Sequence, residues 1–241
     1  MQPDTAARAQ SHGWLFATAD GVGGHEFGEV ASRLAVESMV ANFRNSAGGE
    51  AHTPLLRRMI QAANHIVYEE GRSASPGGVG MSTTIVACAL RYDRAVVAHV
   101  GDSRCYLVRQ GKAATLTRDH TIAAEQQRLG VITAKEAAES SKRHVLSRSL
   151  GNDMFVSADI SELQVLPGDV LALCSDGLHN SVREDDLARV LAEQAPLPVA
   201  AECLVNLANQ RDGRDNISVQ LVRIKSVERM GMYRGRLYPL R

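Results

Sequence analysis

The chain carries no excess of either charge. Its 27 Lys and Arg side chains match 27 Asp and Glu, so no global field draws it to nucleic acid or to an anionic membrane surface. It has no apolar run near the ~20 residues that a membrane span needs, and no basic-then-apolar signal pattern opens it. C-x-x-C spacing is missing too. Cys88, Cys105, Cys174 and Cys203 are scattered, mostly in apolar runs such as "STTIVACAL" and "VLALCSDG", and read as buried thiols rather than as disulfides or a zinc site. These absences place the expected protein in a reducing cytoplasm, with no nucleic-acid partner and no membrane span.

What the chain does have is enough length and apolar content for one sizeable core, 241 residues with 44% hydrophobic side chains. "WLFATAD" reads as a core strand that delivers Asp20 to a sheet end. A helix over 28–43 follows, with Val30, Leu34, Met39, Val40 and Phe43 as its apolar stripe. Thr53 and Pro54 read as the N-cap and first position of a second long helix, with Leu55, Leu56, Met59, Ile60, Ala63, Ile66 and Val67 on its inner face. A Gly/Ser/Pro loop is expected over 71–80. "STTIVACAL", "RAVVAHVG", "RCYLVRQ" and "KAATLT" then read as four strands of an antiparallel meander. A polar, helical excursion occupies 119–142, and "DVLALCSDG" is strand-like. Helices near 185–194 and 199–210 precede a last strand, "NISVQLVRI". Helices gathered early and late around a block of strands, without βαβ alternation, indicate an α+β layered domain.

The stretch "ATADGVGGHEFGE" invites a phosphate-loop reading, but its glycines lack G-x-G-x-x-G spacing and no G-K-[ST] follows. More telling is where aspartates fall. Asp20 in "TADG", Asp102 in "VGDSR", Asp176 in "CSDG" and Asp215 in "RDNIS" each sit beside Gly or Asn where an apolar run starts or ends. One such turn is ordinarily just a turn, because Asp caps its own backbone. Four together admit a second reading: carboxylates converging at one sheet edge, where hard cations such as Mg²⁺ or Mn²⁺ find the oxygen ligands they prefer. Two such ions can acidify a water towards neutral pH and stabilise in-line displacement at phosphorus.

Over residues 14 to 224 the ordered set "FATADGVGGHEFGEVAS", "GMSTTIVACAL", "AHVGDSRCYLVRQGK", "LTRDHT", "VLSRSLG", "GDVLALCSDGLHNSV" and "GRDNISVQLVRI" resembles the protein phosphatase 2C family of metal-dependent serine/threonine phosphatases. The resemblance implies two antiparallel sheets in a sandwich with helices on both outer faces, a four-layer α-β-β-α domain over 14–225. It implies hydrolysis of phosphoserine and phosphothreonine in proteins, the substrates of a serine/threonine kinase, by a cytoplasmic monomer. It further implies that Asp20 bridges two Mn²⁺ or Mg²⁺ ions, that the Gly21 carbonyl binds one of them, and that Asp176 and Asp215 hold the other. Asp102 becomes a ligand of a third, weaker metal shared with Asp176. His25 has two readings, a general acid for the leaving oxygen or a hydrogen-bonding brace for the turn. His120 reads as structural. The segment 121–144 corresponds to the family's variable flap beside the site.

The resemblance is incomplete at the start. The family's early arginine and Asn-Glu-Asp-like segment have no counterpart in 1–13, where Asp4 reads as a surface loop residue, so these residues form an atypical or truncated segment of either a longer phosphatase or a natural short form. A catalytically weak phosphatase-fold module that binds phosphoproteins is therefore the alternative expectation. Residues 226–241 form a basic tail, expected to be solvated.

Overall fold

The run Ile85 to Leu90 has no polar side chain, which suits a strand of a sheet covered on both faces. The computed structural model describes residues 1–22, 26–74, 80–192, 195–228, 230–233 and 236–239. In chain order, its first elements are α1 (Ala6–Ser11), β1 (Trp14–Thr18), α2 (Glu26–Arg44), α3 (His52–Ala74), β2 (Ile85–Arg91) and β3 (Arg94–Val100). Next come β4 (Arg104–Arg109), β5 (Lys112–Thr115), α4 (Ile122–Arg128), α5 (Ala134–Glu139), β6 (Asp159–Gln164) and β7 (Val170–Cys174). The last are α6 (Asp176–His179), α7 (Glu184–Ala192), α8 (Leu197–Arg211), β8 (Val219–Arg223), β9 (Met230–Tyr233) and β10 (Arg236–Pro239).

Two four-stranded antiparallel sheets form, ordered β1-β2-β3-β6 and β5-β4-β7-β8. The two-residue period of a strand sends alternate side chains of β2 into different cores. Ile85, Ala87 and Ala89 join Leu15, Val96 and Ala98 beneath the apolar faces of α2 and α3. Val86, Cys88 and Leu90 face the other way, onto Cys105, Leu171 and Leu173 of the second sheet. That sheet's outer face, with Tyr106, Val108, Val170 and Ala172, packs under Leu187, Leu191 and Leu204 of α7 and α8. Three cores between four layers are the α-β-β-α sandwich that the motifs implied. No helix among the described residues is long and apolar enough to cross a membrane.

Several expectations are corrected. The four strands after "GMS" are not one meander: β2 and β3 belong to the first sheet, β4 and β5 to the second. The chain changes sheets at Gly101, whose φ of +100° is open to glycine and strained for other residues. A Cβ there would also lie 2.7 Å from Thr84 carbon atoms. The helix expected to start after Thr53 starts at His52, and Pro54 is tolerated because first-turn N–H groups have no intrahelical acceptor. That helix also continues through Gly71 into residues expected to form a loop. Strand β6 was not legible, since "DISELQ" is a polar edge strand without apolar alternation. Residues 226–241, where the sequence suggested no strand, contain a hairpin of β9 and β10, paired from Arg236 with Tyr233 to Pro239 with Met230. Residues 1–13 include the short helix α1, capped by the Thr5 side chain, and Asp4 is exposed and paired with Arg8 at 3.7 Å. Cys203 is exposed, unlike the other three thiols, because α8 turns Ala200, Leu204 and Ala208 inward instead. The excursion is helical as expected, its second helix opened by a Thr133 and Glu136 capping box.

Gly101→Ala is expected to destabilise the protein by about 2 kcal/mol, combining backbone strain with a close contact. Urea unfolding measures it; a change within ~0.5 kcal/mol would mean that the crossover carries no strain.

Candidate metal centre

Asp20 lies just beyond β1, and its backbone is held from two sides. Its carbonyl accepts from the Thr84 N–H at 2.8 Å and from the Thr83 hydroxyl at 2.7 Å, while its own N–H donates to Thr84 Oγ1 at 3.0 Å. Gly21 bridges to Thr83 and sits so close to the start of α2 that a Cβ would fall 2.1 Å from the Gly28 carbonyl oxygen. No other residue fits there. The Thr84 hydroxyl also meets Ser103 Oγ at 2.7 Å, which ties the Asp20 turn to the neighbouring Asp102 turn.

Asp102 is buried at the crossover between the sheets. His179 Nε2 donates to its carbonyl at 2.9 Å. Gly101, just before it, donates to His120 Nδ1 at 3.1 Å and accepts from the His120 N–H at 3.0 Å. Arg104 forms a two-pronged bond to Asp119, Nε to Oδ1 at 2.8 Å and Nη2 to Oδ2 at 2.7 Å, and fastens this turn to "RDHT". Burial opposes the charge of both partners, but each holds the other ionised: the Asp119 carboxyl stays below its ordinary range and the Arg104 guanidinium above its own. Asp176 opens α6 immediately after β7. Ser175 donates its N–H to the Ser218 carbonyl at 3.1 Å and its hydroxyl to the Asn216 carbonyl at 3.2 Å. These bonds hold the Asp215 turn beside α6.

The four aspartates are thereby gathered at the same end of both sheets, and their carboxyls sense one another. Burial, then Asp176, Asp215 and Asp102, push Asp20 up to about 7. Burial, then Asp176 and Asp119, likewise push Asp102 up to about 7 against the pull of Arg104. Asp176 is raised by burial and by Asp215, and lies within hydrogen-bonding reach of Asp20. An all-oxygen cluster whose members disfavour each other's charge fits divalent cations, which offset that charge with the ligand type they prefer.

His25 lies outside the described residues. His120 is fully buried and stacks on His99 with ring centroids 4.6 Å apart and planes 18° apart. His99, His120 and Asp159 offer ligand atoms within 4.8 Å of one another. Rings so nearly parallel cannot both point a lone pair at one ion, so this group is a packing cluster and not a second metal site. Sequence reasoning missed His179, the Thr83 and Thr84 pair and the Arg104 and Asp119 pair as supports. It also missed His144, at the end of the flap, which lies within electrostatic range of Asp176. "STT" and "RDHT" were visible, but only the fold aims them at Asp20 and Asp102.

A four-layer sandwich with carboxylates collected at one end of both sheets has the form of a cation-dependent hydrolase. Comparison with known proteins makes the class specific. A sequence profile of protein phosphatase 2C matches residues 2–210. A putative protein phosphatase 2C-type of Streptococcus pyogenes is 35% identical over 88% of this chain and 86% of its own length. The serine/threonine phosphatase stp of Listeria welshimeri is 35% identical over 90% and 85%. Among solved structures, the S. agalactiae serine/threonine phosphatase superposes with a TM-score of 0.82 at 36% identity, covering 88% of this chain and 87% of that one. The catalytic domain of serine threonine protein phosphatase PstP, solved in complex with two manganese ions, superposes with a TM-score of 0.76 at 31% identity, covering 88% of each chain. The chain belongs to the protein phosphatase 2C family and is a protein serine/threonine phosphatase.

The raised carboxyls predict how the metal-free protein responds to pH. An Asp carboxyl has an ordinary value of 3.8, whereas folded Asp20 and Asp102 titrate near 7. Between those values the folded state holds more protons than the unfolded one, so stability falls as pH rises through that window. Asp20→Asn should stabilise the chelated protein at pH 7.5 by roughly 1–2 kcal/mol after allowance for solvent screening. Calorimetry with excess chelator measures it, and a lowered Tm in the variant would refute stored repulsion.

Proposed function

We propose that this phosphatase hydrolyses phosphoserine and phosphothreonine in proteins using two Mn²⁺ or Mg²⁺ ions held by Asp20, the Gly21 carbonyl, Asp176 and Asp215. Asp102, with Asp176, is assigned to a third, weaker ion. The convergence of four carboxylates, three of them raised by burial and by one another, carries the proposal. When bound, such a pair of ions supplies a water acidified towards neutral pH and positive charge against the in-line displacement at phosphorus.

The chain's own part is positioning and electrostatics. Thr83 and Thr84 fix the Asp20 backbone, so its carboxylate is held without reorganisation when the substrate arrives. His179 does the same for Asp102; burial and then Arg104 lower its pKa to about 4, so it is a neutral donor at pH 7 and adds no charge to the site. His144 brings the flap's end within electrostatic range of Asp176. His25 keeps its two assignments, proton donor to the leaving oxygen or brace of the turn. The phosphorylated partners are products of a serine/threonine kinase, and the working form is a monomer. Three buried, unpaired thiols suit a reducing cytoplasm.

Asp20→Asn and Asp176→Asn keep shape but remove charge that the ions need, and each is expected to lower kcat/KM on a phosphothreonine peptide by roughly 1000-fold. Asp102→Ala is expected to impair turnover while leaving two tightly bound Mn²⁺ per chain by titration calorimetry. Mn²⁺-dependent turnover surviving in Asp176→Asn would refute the assignment. Native protein that binds phosphopeptide without turnover would favour the alternative, a phosphoprotein-binding module of the same fold.

A further inference from the structure

The loop 151–156 shows two apolar side chains to solvent, Phe155 at 77% exposure and Met154 at 48%. Exposed apolar groups on a loose loop carry little meaning, but this backbone is fastened to α3. Asn64, fully buried, donates through Nδ2 to the carbonyls of Asp153 at 2.9 Å and Met154 at 3.1 Å, and accepts at Oδ1 from the Gly151 N–H at 2.9 Å. One helical turn away, Gln61 donates to the Met154 carbonyl at 3.0 Å and accepts from the Val156 N–H at 3.2 Å. Five hydrogen bonds from two amides hold Phe155 in the open.

Between this loop and α3 runs an open groove of about 850 Å³, bounded by Pro54, Arg57, Arg58, His65, Met154 and Phe155, with no carboxylate among its described lining residues. Arg58 is paired with Glu50 at 3.1 Å; Arg57 has no ion pair among the described residues. The loop also follows directly on Leu150, which is tied through Thr83 to the Asp20 turn. Leu150 exchanges backbone hydrogen bonds with Thr83 at 2.8 and 3.1 Å, and the Thr83 hydroxyl donates to the Asp20 carbonyl. Groove and cluster are therefore held in one fixed relation.

We propose that this groove docks a segment of the phosphoprotein substrate other than its phosphorylated residue: an acidic segment bearing a large apolar side chain. The apolar side chain packs on Phe155 and Met154, and its carboxylates meet the cationic rim led by Arg57. Charge complementarity selects this occupant, because the rim would repel a basic segment and the exposed ring needs an apolar partner. Aromatic and Arg side chains are also the types that dominate binding energy at such contacts. The inference rests on the phosphatase reading above and deepens it by naming a substrate class.

The test begins with binding alone. A fluorescent, unphosphorylated peptide of sequence Asp-Glu-Leu-Phe-Glu-Asp is titrated with the full chain and followed by anisotropy. Saturable binding is expected, weakened about tenfold by Phe155→Ala and by Arg57→Glu and unchanged by Asp20→Asn. The same segment is then joined by a flexible linker to a phosphothreonine peptide. It should lower KM about tenfold for the native protein and not for either groove variant, while hydrolysis of the unlinked phosphopeptide and of an aryl phosphate stays the same in all three. Absence of binding, or binding indifferent to both substitutions, would overturn the proposal. So would Phe155-dependent binding to phosphatidylserine vesicles, or Phe155-dependent self-association in sedimentation, which would assign the face to lipid or to a second copy. Groove-dependent peptide binding by a protein that hydrolyses no phosphopeptide would support the docking face and refute the phosphatase reading instead.

Discussion

Carboxylates that repel one another stay together only if the backbone that carries them cannot retreat. That constraint organises this structure. Asp20 and Asp102 are each pushed up to about 7, an unfavourable arrangement for a metal-free fold, and it is sustained by interactions that contact the backbone and not the charge. Thr83 and Thr84 hold Asp20, His179 and His120 hold the Asp102 turn, and Ser175 holds the Asp215 turn beside Asp176. The acidic ends are left facing a common space with their charge uncompensated, which is the condition for binding cations tightly.

The four layers make such a site affordable in stability terms. Both faces of each sheet are buried, so the strands that end at the cluster are anchored by three separate apolar cores. The crossover at Gly101 joins the sheets right beside Asp102, and the Arg104 and Asp119 pair ties that crossover to the start of the flap. Stability and function are thus separated in space: the strand interiors supply the burial and the strand ends carry the charge. The loop 151–156 extends the same plan outward, with buried Asn64 fixing an exposed apolar pair a short distance along the chain from the Thr83 bridge.

Much of this was legible because it is local. An apolar run that stops at Asp-Gly is a strand ending in a turn, and two such stops, at Asp20 and Asp176, with Asp102 and Asp215 beside Gly and Asn, suggest a cluster. Buried strands, the long helices and three of the four thiols followed from periodicity and composition. The failures have physical causes. Strand β6 is a polar edge with no pattern to read, the hairpin of β9 and β10 pairs only with itself among the described residues, and Cys203 lies on the outward side of a helix whose inward side is set by packing. The presumed meander was wrong because a short turn between two strands does not say whether they share a sheet; the left-handed backbone at Gly101 decides that.

The order of motifs along the chain determined the family and pointed to four aspartates as candidate ligands, because residue type and spacing carry that chemistry wherever the chain goes. Which groups support those aspartates and which histidine lies within electrostatic range of Asp176 were decided only by the tertiary structure. Thr83 and Asp20, Asn64 and Gly151, or His179 and Asp102 are far apart in sequence and become partners only when two sheets close on one another. Hydrogen bonds and electrostatic shifts depend on distances of a few ångströms, which no local pattern encodes.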